Sequence, residues 1–217
     1  MEHFESWKDL VNPEFYIKLG GFWLVLLIVF AESGLFFGFF LPGDSLLFIS
    51  GIYSTTIISE TFGETGSDLL NTTILAATVG VAAILGDSVG YWFGSKSGQK
   101  LYQKKESFFF KRSYLLKAQQ FYEENGAMAI IIARFLPMIR TFAPIVAGIV
   151  KMDSKKFFLY NIIGGLLWSF SLIFAGHYLD KLFIDQFGID LKKHLEYIII
   201  GLIVVTTTPV IIKALKK

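Results

Sequence analysis

Two long apolar stretches of this chain are interrupted by proline with charged residues beside the interruption, and no other feature restricts the fold as much. Apolar residues dominate Ile17–Ile58, Thr73–Phe93, Ala127–Val150, Phe157–Leu179 and Tyr197–Leu215. A helix needs roughly 20 apolar residues to span a bilayer, so the second, fourth and fifth stretches read as ordinary transmembrane helices. The first is too long for one span and is broken at Leu41-Pro42-Gly43-Asp44. The third holds Pro137 and Pro144, with Arg134 and Arg140 alongside. Proline removes a helical hydrogen bond and clashes with the preceding turn. Each of these two stretches is therefore expected to contain two half-helices joined by irregular backbone, with breaks at Pro42, Gly43, Pro137 and Pro144. Such backbone survives at membrane depth only inside protein or against a wet cavity. The 53% hydrophobic composition agrees with a membrane protein, since about 45–50% is usual for a soluble domain even with glycine counted.

Charge placement sets the topology. Lys96, Lys100, Lys104, Lys105, Lys111, Arg112 and Lys117 precede the third stretch, and Lys151, Lys155 and Lys156 follow it. By the positive-inside rule both flanks are cytoplasmic. A crossing at residues 127–150 would put the second flank outside, so the expectation is that they enter and return as a re-entrant hairpin. Parity then places Glu60, Glu64 and Asp68 outside, with one crossing at about Ile17 to Ala31 and a second hairpin, about 32–58, entering from the outer face. The N-terminus and the C-terminal Lys213, Lys216 and Lys217 are expected in the cytoplasm. Phe40-Leu41-Pro42 recurs as Phe135-Leu136-Pro137, Gly51 and Gly148 follow the two tips, and Gly86 with Trp92 is matched by Gly164 with Trp168. Together with opposite entry sides, this suggests an inverted repeat, the architecture in which transporters hold a midplane site between broken helices. The expected fold is an all-α polytopic membrane protein with two opposed re-entrant hairpins. Residues 1–16 form an interfacial segment with Phe4, Trp7, Phe15 and Tyr16 at headgroup depth. Residues 17–180 form the membrane core, and 181–217 a loop and a last transmembrane helix. Met1–Lys18 lacks the basic start and cleavage site of a signal peptide, so no processing is expected.

Glu32, Asp44, Asp87, Arg134 and Arg140 all lie in apolar surroundings. Insertion scales charge about 2.5–3.5 kcal/mol for such a residue at a helix centre, so they must be paired or solvated. Guanidinium stays ionised and offers a planar fork of donors suited to phosphate, which makes Arg134 and Arg140 the candidate phosphate-binding residues. Burial and a nearby arginine pull carboxylate protonation in opposite directions. Glu32 and Asp44 are accordingly the candidate proton relay of a proton-coupled carrier. Asp87 and Asn161 are candidate polar residues of the cavity; the alternatives are buried ion pairs holding the hairpins together for all five charged residues, an N-terminal partner of an approaching helix for Asp87, and packing for Asn161 and Trp168. Gly86, Gly90, Gly94 and Gly98 recur every four residues, so they share a helix face and permit close helix contact. Cysteine is absent, and His3, His177 and His194 form no metal-binding pattern. No metal, cofactor or catalytic group is expected. A net charge of +2 does not suggest nucleic acid, and Phe108-Phe109-Phe110-Lys111-Arg112 reads as an interfacial anchor for anionic lipid.

These blocks resemble the DedA family, also called SNARE-associated or VTT-domain membrane proteins. The matching residues are Glu32, Gly38 and Pro42-Gly43-Asp44, then Gly86-Asp87 with Gly90-Tyr91, Gly94 and Gly98. Arg134-Phe135-Leu136-Pro137, Arg140-Thr141, Pro144, Ala147-Gly148 and Met152 follow, and then Phe157, Asn161, Gly164 and Trp168. The resemblance extends from about Gly21 to Gly176. It implies opposed re-entrant hairpins and lipid translocation, with Glu32 and Asp44 matching the family's acidic residues and Arg134 and Arg140 its essential arginines. Asp44 stands where many relatives have glutamate. The resemblance also implies a multi-pass protein of a bacterial cytoplasmic membrane that moves undecaprenyl phosphate, or a phospholipid such as phosphatidylethanolamine; protons as coupling partner are the expectation from Glu32 and Asp44. Competing expectations are an energy-independent scramblase, a membrane enzyme acting on lipid phosphates, and an assembly factor.

Overall fold

Every regular element among the described residues is helical; the computed structural model describes residues 13–34, 43–103, 120, 122, 124–125, 128–195 and 201. The elements are α1 (Pro13–Gly34), α2 (Gly43–Ile52), α3 (Ser54–Phe62), α4 (Asp68–Gln103), α5 (Met128–Arg134), α6 (Pro137–Ile149) and α7 (Ser154–Phe187), with a 3₁₀ turn at Leu191–His194. Expectations for residues 1–12, Pro42, 108–112 and, Gly201 apart, Tyr197–Leu215 lie outside the described residues.

Asp68–Ser97 of α4 and all of α7 are long and apolar enough to cross a membrane. Their surfaces point the same way. In α4, Val81, Leu85, Val89 and Trp92 are exposed at helical spacing while Asp87 is buried. In α7, Leu159, Ile163 and Leu167 are exposed while Asn161 is buried. Water would penalise an apolar stripe of this length, whereas lipid tails match it. The chain is a helical membrane protein.

Three local features differ from the sequence reading. The crossing expected at about Ile17 to Ala31 is not one continuous helix, because Gly21 adopts φ 50° and ψ −134° inside α1, a conformation that the absence of a Cβ permits. Moreover, α1 continues to Gly34, so Glu32 occupies its last turn and not a hairpin limb. The run after Gly43 bends at Tyr53, where no proline stands, yet the ladder persists: Tyr53 N–H donates to the Ile49 carbonyl at 3.0 Å and Ile57 N–H to the Tyr53 carbonyl at 2.9 Å.

The proline expectations divide. Pro137 is the first residue of α6, a position whose N–H has no intrahelical partner in any case. Leu136 before it is extended (φ −112°, ψ 101°), as a residue preceding proline prefers to be. Gly43 likewise opens α2. Pro144, expected as a second break, instead lies inside α6. The helix loses one rung and continues, because Ile145 and Gly148 just beyond are seated directly on the α4 backbone.

The chain divides into two compact units, one of Met1–Ile28, Phe40–Val79 and Ser169–Lys217, the other of Val29–Phe39 and Gly80–Trp168. In the first, Leu46, Leu47 and Ile49 of α2, Ile57 and Ile58 of α3, Leu75 of α4 and Ile173 of α7 are fully buried. A Cβ on Gly51 would strike the Ile173 carbonyl, and one on Gly176 the Phe48 carbonyl, so α2 and α7 meet backbone to backbone. In the second, Tyr91 stacks on Phe157 with ring centres 4.3 Å apart, beside Ile130 and Ala147. There a Cβ on Gly148 would strike the Tyr91 carbonyl, and one on Gly94 the Ile145 carbonyl. Gly86 approaches Phe30 and Gly34 of α1 in the same manner. Of the glycine face expected on α4, Gly86 and Gly94 are therefore points of close backbone contact, and the surroundings of Gly98 lie outside the described residues.

Candidate functional site

The second unit gathers four ionisable side chains from four helices. The turn between α5 and α6 sets the arginines. Phe135 N–H bonds the Ile132 carbonyl at 3.2 Å and Leu136 N–H the Ala133 carbonyl at 3.1 Å, which tightens the end of α5 and leaves Arg134 as its last residue. Arg140 N–H bonds the Leu136 carbonyl at 3.0 Å, one turn into α6. The break at Pro137 thus hands the two guanidinium groups to successive helices.

Arg134 is only 4% exposed. Its Nη2 donates to the Asp87 carboxylate of α4 and, at 2.6 Å, to Oδ1 of Asn161 on α7. Asn161 Nδ2 donates to the Ile84 carbonyl at 3.1 Å, which turns the amide oxygen toward the arginine. Space for the guanidinium comes from Gly164 and Gly165: a Cβ on the former would lie 3.2 Å from Arg134 Cδ, and one on the latter 3.3 Å from its Nη2. Arg134 Nε is buried with no acceptor among the described residues. A buried donor left in this state costs free energy that an incoming oxygen would recover.

Arg140 donates from Nη2 to the Glu32 carboxylate of α1, and its Cζ lies 4.8 Å from the Trp168 ring centre on α7. The two side chains are 9% and 4% exposed. Arg140 is also close enough to act electrostatically on both Asp87 and Arg134, so the two pairs form one cluster. Two cations face two carboxylates. Desolvating such pairs is expensive, and their mutual attraction only partly repays it. The α6–α7 turn that positions Asn161 and Trp168 is fixed by Tyr91, whose hydroxyl donates to the Met152 carbonyl at 2.5 Å and lies 3.1 Å from Ser154 Oγ. Tyr122 adds a hydrogen bond to the Ala143 carbonyl at 2.9 Å.

Of the sequence-derived site residues, Glu32, Asp87, Arg134, Arg140 and Asn161 meet in this unit. Asp44 does not share it: it belongs to the first unit, in the opening turn of α2 and half-buried, where an acid is favoured by the helix dipole. Asn161 and Trp168, for which packing is the simpler sequence reading, each hold an arginine. The spacing of these two residues, seven apart and thus on one face of α7, is the signal that could have exposed them. Among the described residues no three His, Asp or Glu side chains gather as a metal-binding group.

Comparison with known proteins adds a family assignment. Residues 16–178 match the VTT domain. The chain is 40% identical over 193 residues to the protein DedA of Escherichia coli strain K12, covering 89% of this chain and 81% of that one. It is 36% identical over 211 residues to an uncharacterized membrane protein of Mycobacterium leprae, covering 94% and 86%. It is 31% identical over 177 residues to the inner membrane protein YqjA of Escherichia coli, covering 82% and 74%. No solved structure matches.

Proposed function

The chain belongs to the DedA family of VTT-domain membrane proteins, and from that premise we propose that it moves a phosphate-bearing lipid between leaflets of a bacterial cytoplasmic membrane. The observation that carries this reading is the pair of arginines on either side of one helix break, Arg134 buried and Arg140 nearly so, each balanced by a carboxylate from another helix. A phosphate monoester presents the oxygens such forks receive, and two guanidinium groups match its two charges. That favours a polyprenyl phosphate such as undecaprenyl phosphate over a zwitterionic phospholipid, which brings its own cation.

The charge count supplies the mechanism. Without substrate the cluster is neutral. For each arginine that it takes, a lipid phosphate displaces the paired carboxylate, Asp87 or Glu32, and leaves it without its partner in a medium of low dielectric. One proton for each displaced carboxylate removes that cost, so substrate and protons travel together. In this reading Glu32 exchanges the proton with Arg140 as its gate, and Asp44 serves the same traffic from the first unit. No bond in the lipid is made or broken.

The finer architecture belongs to the same reading. The α5–α6 pair, and the helices around Gly43, are taken as re-entrant hairpins from opposite faces in an inverted repeat, with both termini cytoplasmic. The recurrence of one glycine contact in each unit supports it. Cysteines placed at positions 105 and 155 should both be shielded from an impermeant thiol reagent outside intact cells; labelling at 155 alone would reject the hairpin.

Proteoliposomes loaded with labelled polyprenyl phosphate test the function. Arg134→Ala and Arg140→Ala are expected to abolish transfer; transfer at the parental rate in both would refute the binding role. If a pH gradient leaves rate and direction untouched, coupling fails and energy-independent scrambling remains. Phosphate released from the lipid by purified protein would favour an enzyme instead.

A further inference from the structure

Outside the arginine cluster, the first unit buries a directional chain of hydroxyl groups that ends on an imidazole. Ser54 of α3 and Thr72 of α4 are both fully buried. Thr72 Oγ1 lies 2.8 Å from the Asp68 carbonyl, a group that only accepts, so the one hydroxyl proton of Thr72 is committed there. Ser54 Oγ lies 3.0 Å from Thr72 Oγ1, and with the Thr72 proton spent, Ser54 must be the donor in that bond. His177 Nδ1 of α7 lies 3.2 Å from Ser54 Oγ. Ser54 has no second proton to give, so Nδ1 must carry the hydrogen. The opposite order would leave Thr72 Oγ1 and the Asp68 carbonyl facing each other as two acceptors.

The chain therefore fixes the tautomer of His177. Its Nδ1 is permanently a donor, and every exchange of protons takes place at Nε2. Around the ring, Asp68 of α4 and Asp180 of α7 contribute negative charge, and Lys181 of α7 and Lys192 of the 3₁₀ turn positive charge. Lys192 Nζ stands 3.9 Å from Asp180 Oδ2, and Thr55 of α3 donates to the Asp68 carboxylate at 3.1 Å. Two acids and two bases thus stand near the imidazole.

We propose that His177 is a proton-binding site that loads and unloads at Nε2, held in that tautomer by Ser54 and Thr72, and that this proton belongs to the transport cycle. The second half rests on the lipid-transport reading; the first does not. Neither Glu32 nor either arginine takes part in it.

Two measurements separate the halves. In protein labelled with [¹⁵N]histidine and held in nanodiscs, nitrogen shifts identify which ring nitrogen is protonated; His3→Gln and His194→Gln remove the other two signals. The neutral His177 ring is expected to be protonated at Nδ1, and Ser54→Ala to move it to the Nε2–H form. A neutral parental ring already protonated at Nε2 overturns the site. In proteoliposomes, the ratio of lipid transfer with and without an imposed pH gradient is expected to fall to one in His177→Gln. A ratio equal to that of the parent overturns the coupling. If the parent protein transfers no lipid phosphate under any gradient, the transport reading fails and the coupling with it, while the nitrogen shifts still decide the site.

Discussion

The two units use the same packing device for different contents. In the first, Phe48 and Gly51 of α2 face Ile173 and Gly176 of α7; in the second, Ile145 and Gly148 of α6 face Tyr91 and Gly94 of α4. Each time a backbone carbonyl and, three residues on, a glycine are presented by both helices, and each glycine seats on the other helix's carbonyl. What they enclose differs. The second unit encloses Arg134 and Arg140 with Glu32 and Asp87, whereas the first buries the hydroxyls of Ser50, Ser54 and Thr72 and, as the one buried ionisable side chain among its described residues, Asp180. Close helix approach therefore does not depend on charge, and the ion pairs do not serve to bring helices together that would otherwise part. They are an addition to a scaffold that also exists without them.

Substitutions can break that contrast, beginning with the largest expected effect. Arg134→Ala strands Asp87 in the protein interior and should destabilise the protein by about 3–5 kcal/mol, read as a loss of thermal stability in detergent. Adding Asp87→Ala should restore most of the stability and none of the transfer. A double variant no more stable than the single one would mean that the arginine acts as a structural prop. Next come Gly51→Ala and Gly148→Ala, which push a methyl group into a facing carbonyl and should each cost about 1–3 kcal/mol. The shared device requires the two costs to be similar; a harmless Gly51→Ala beside a damaging Gly148→Ala would show that the units are not built alike. Ser54→Ala should cost about 1 kcal/mol, the net value of neutral hydrogen bonds, well below the arginine effect. Thr55→Val, which removes only the exposed hydrogen bond to Asp68, should stay within about 0.5 kcal/mol.

Much of the charged cluster was legible in the residues, because an arginine amid apolar neighbours has few tolerable fates. Arg134, Arg140, Glu32 and Asp87 announce themselves in this way. Their partners do not. Nothing in the spacing says that Arg134 selects Asp87 while Arg140 selects Glu32, since that choice follows from the turn at Phe135-Leu136, which leaves Arg134 at the end of α5 and Arg140 in α6. Pro144 misled for a related reason. Propensity marks it as a breaker, but tertiary contacts just after it hold the helix together. Gly21 is the converse case, a glycine in an apolar run whose positive φ has no sequence signature. Ser54, Thr72 and His177 were hidden because a lone hydroxyl in an apolar stretch commonly bonds its own helix, and only the fold brings the three into line.

The ring stacked on Arg140 gives the protein an optical reporter. Trp168 is 3% exposed, whereas Trp23 and Trp92 are 68% and 55% exposed. A variant that keeps Trp168 as its only indole would emit from beside the guanidinium. Any anion that draws Arg140 off the ring face changes the electric field on the fluorophore, and its emission with it. Occupancy of the site then becomes visible as light from the unmodified side chain, in real time, before a single lipid has changed leaflet.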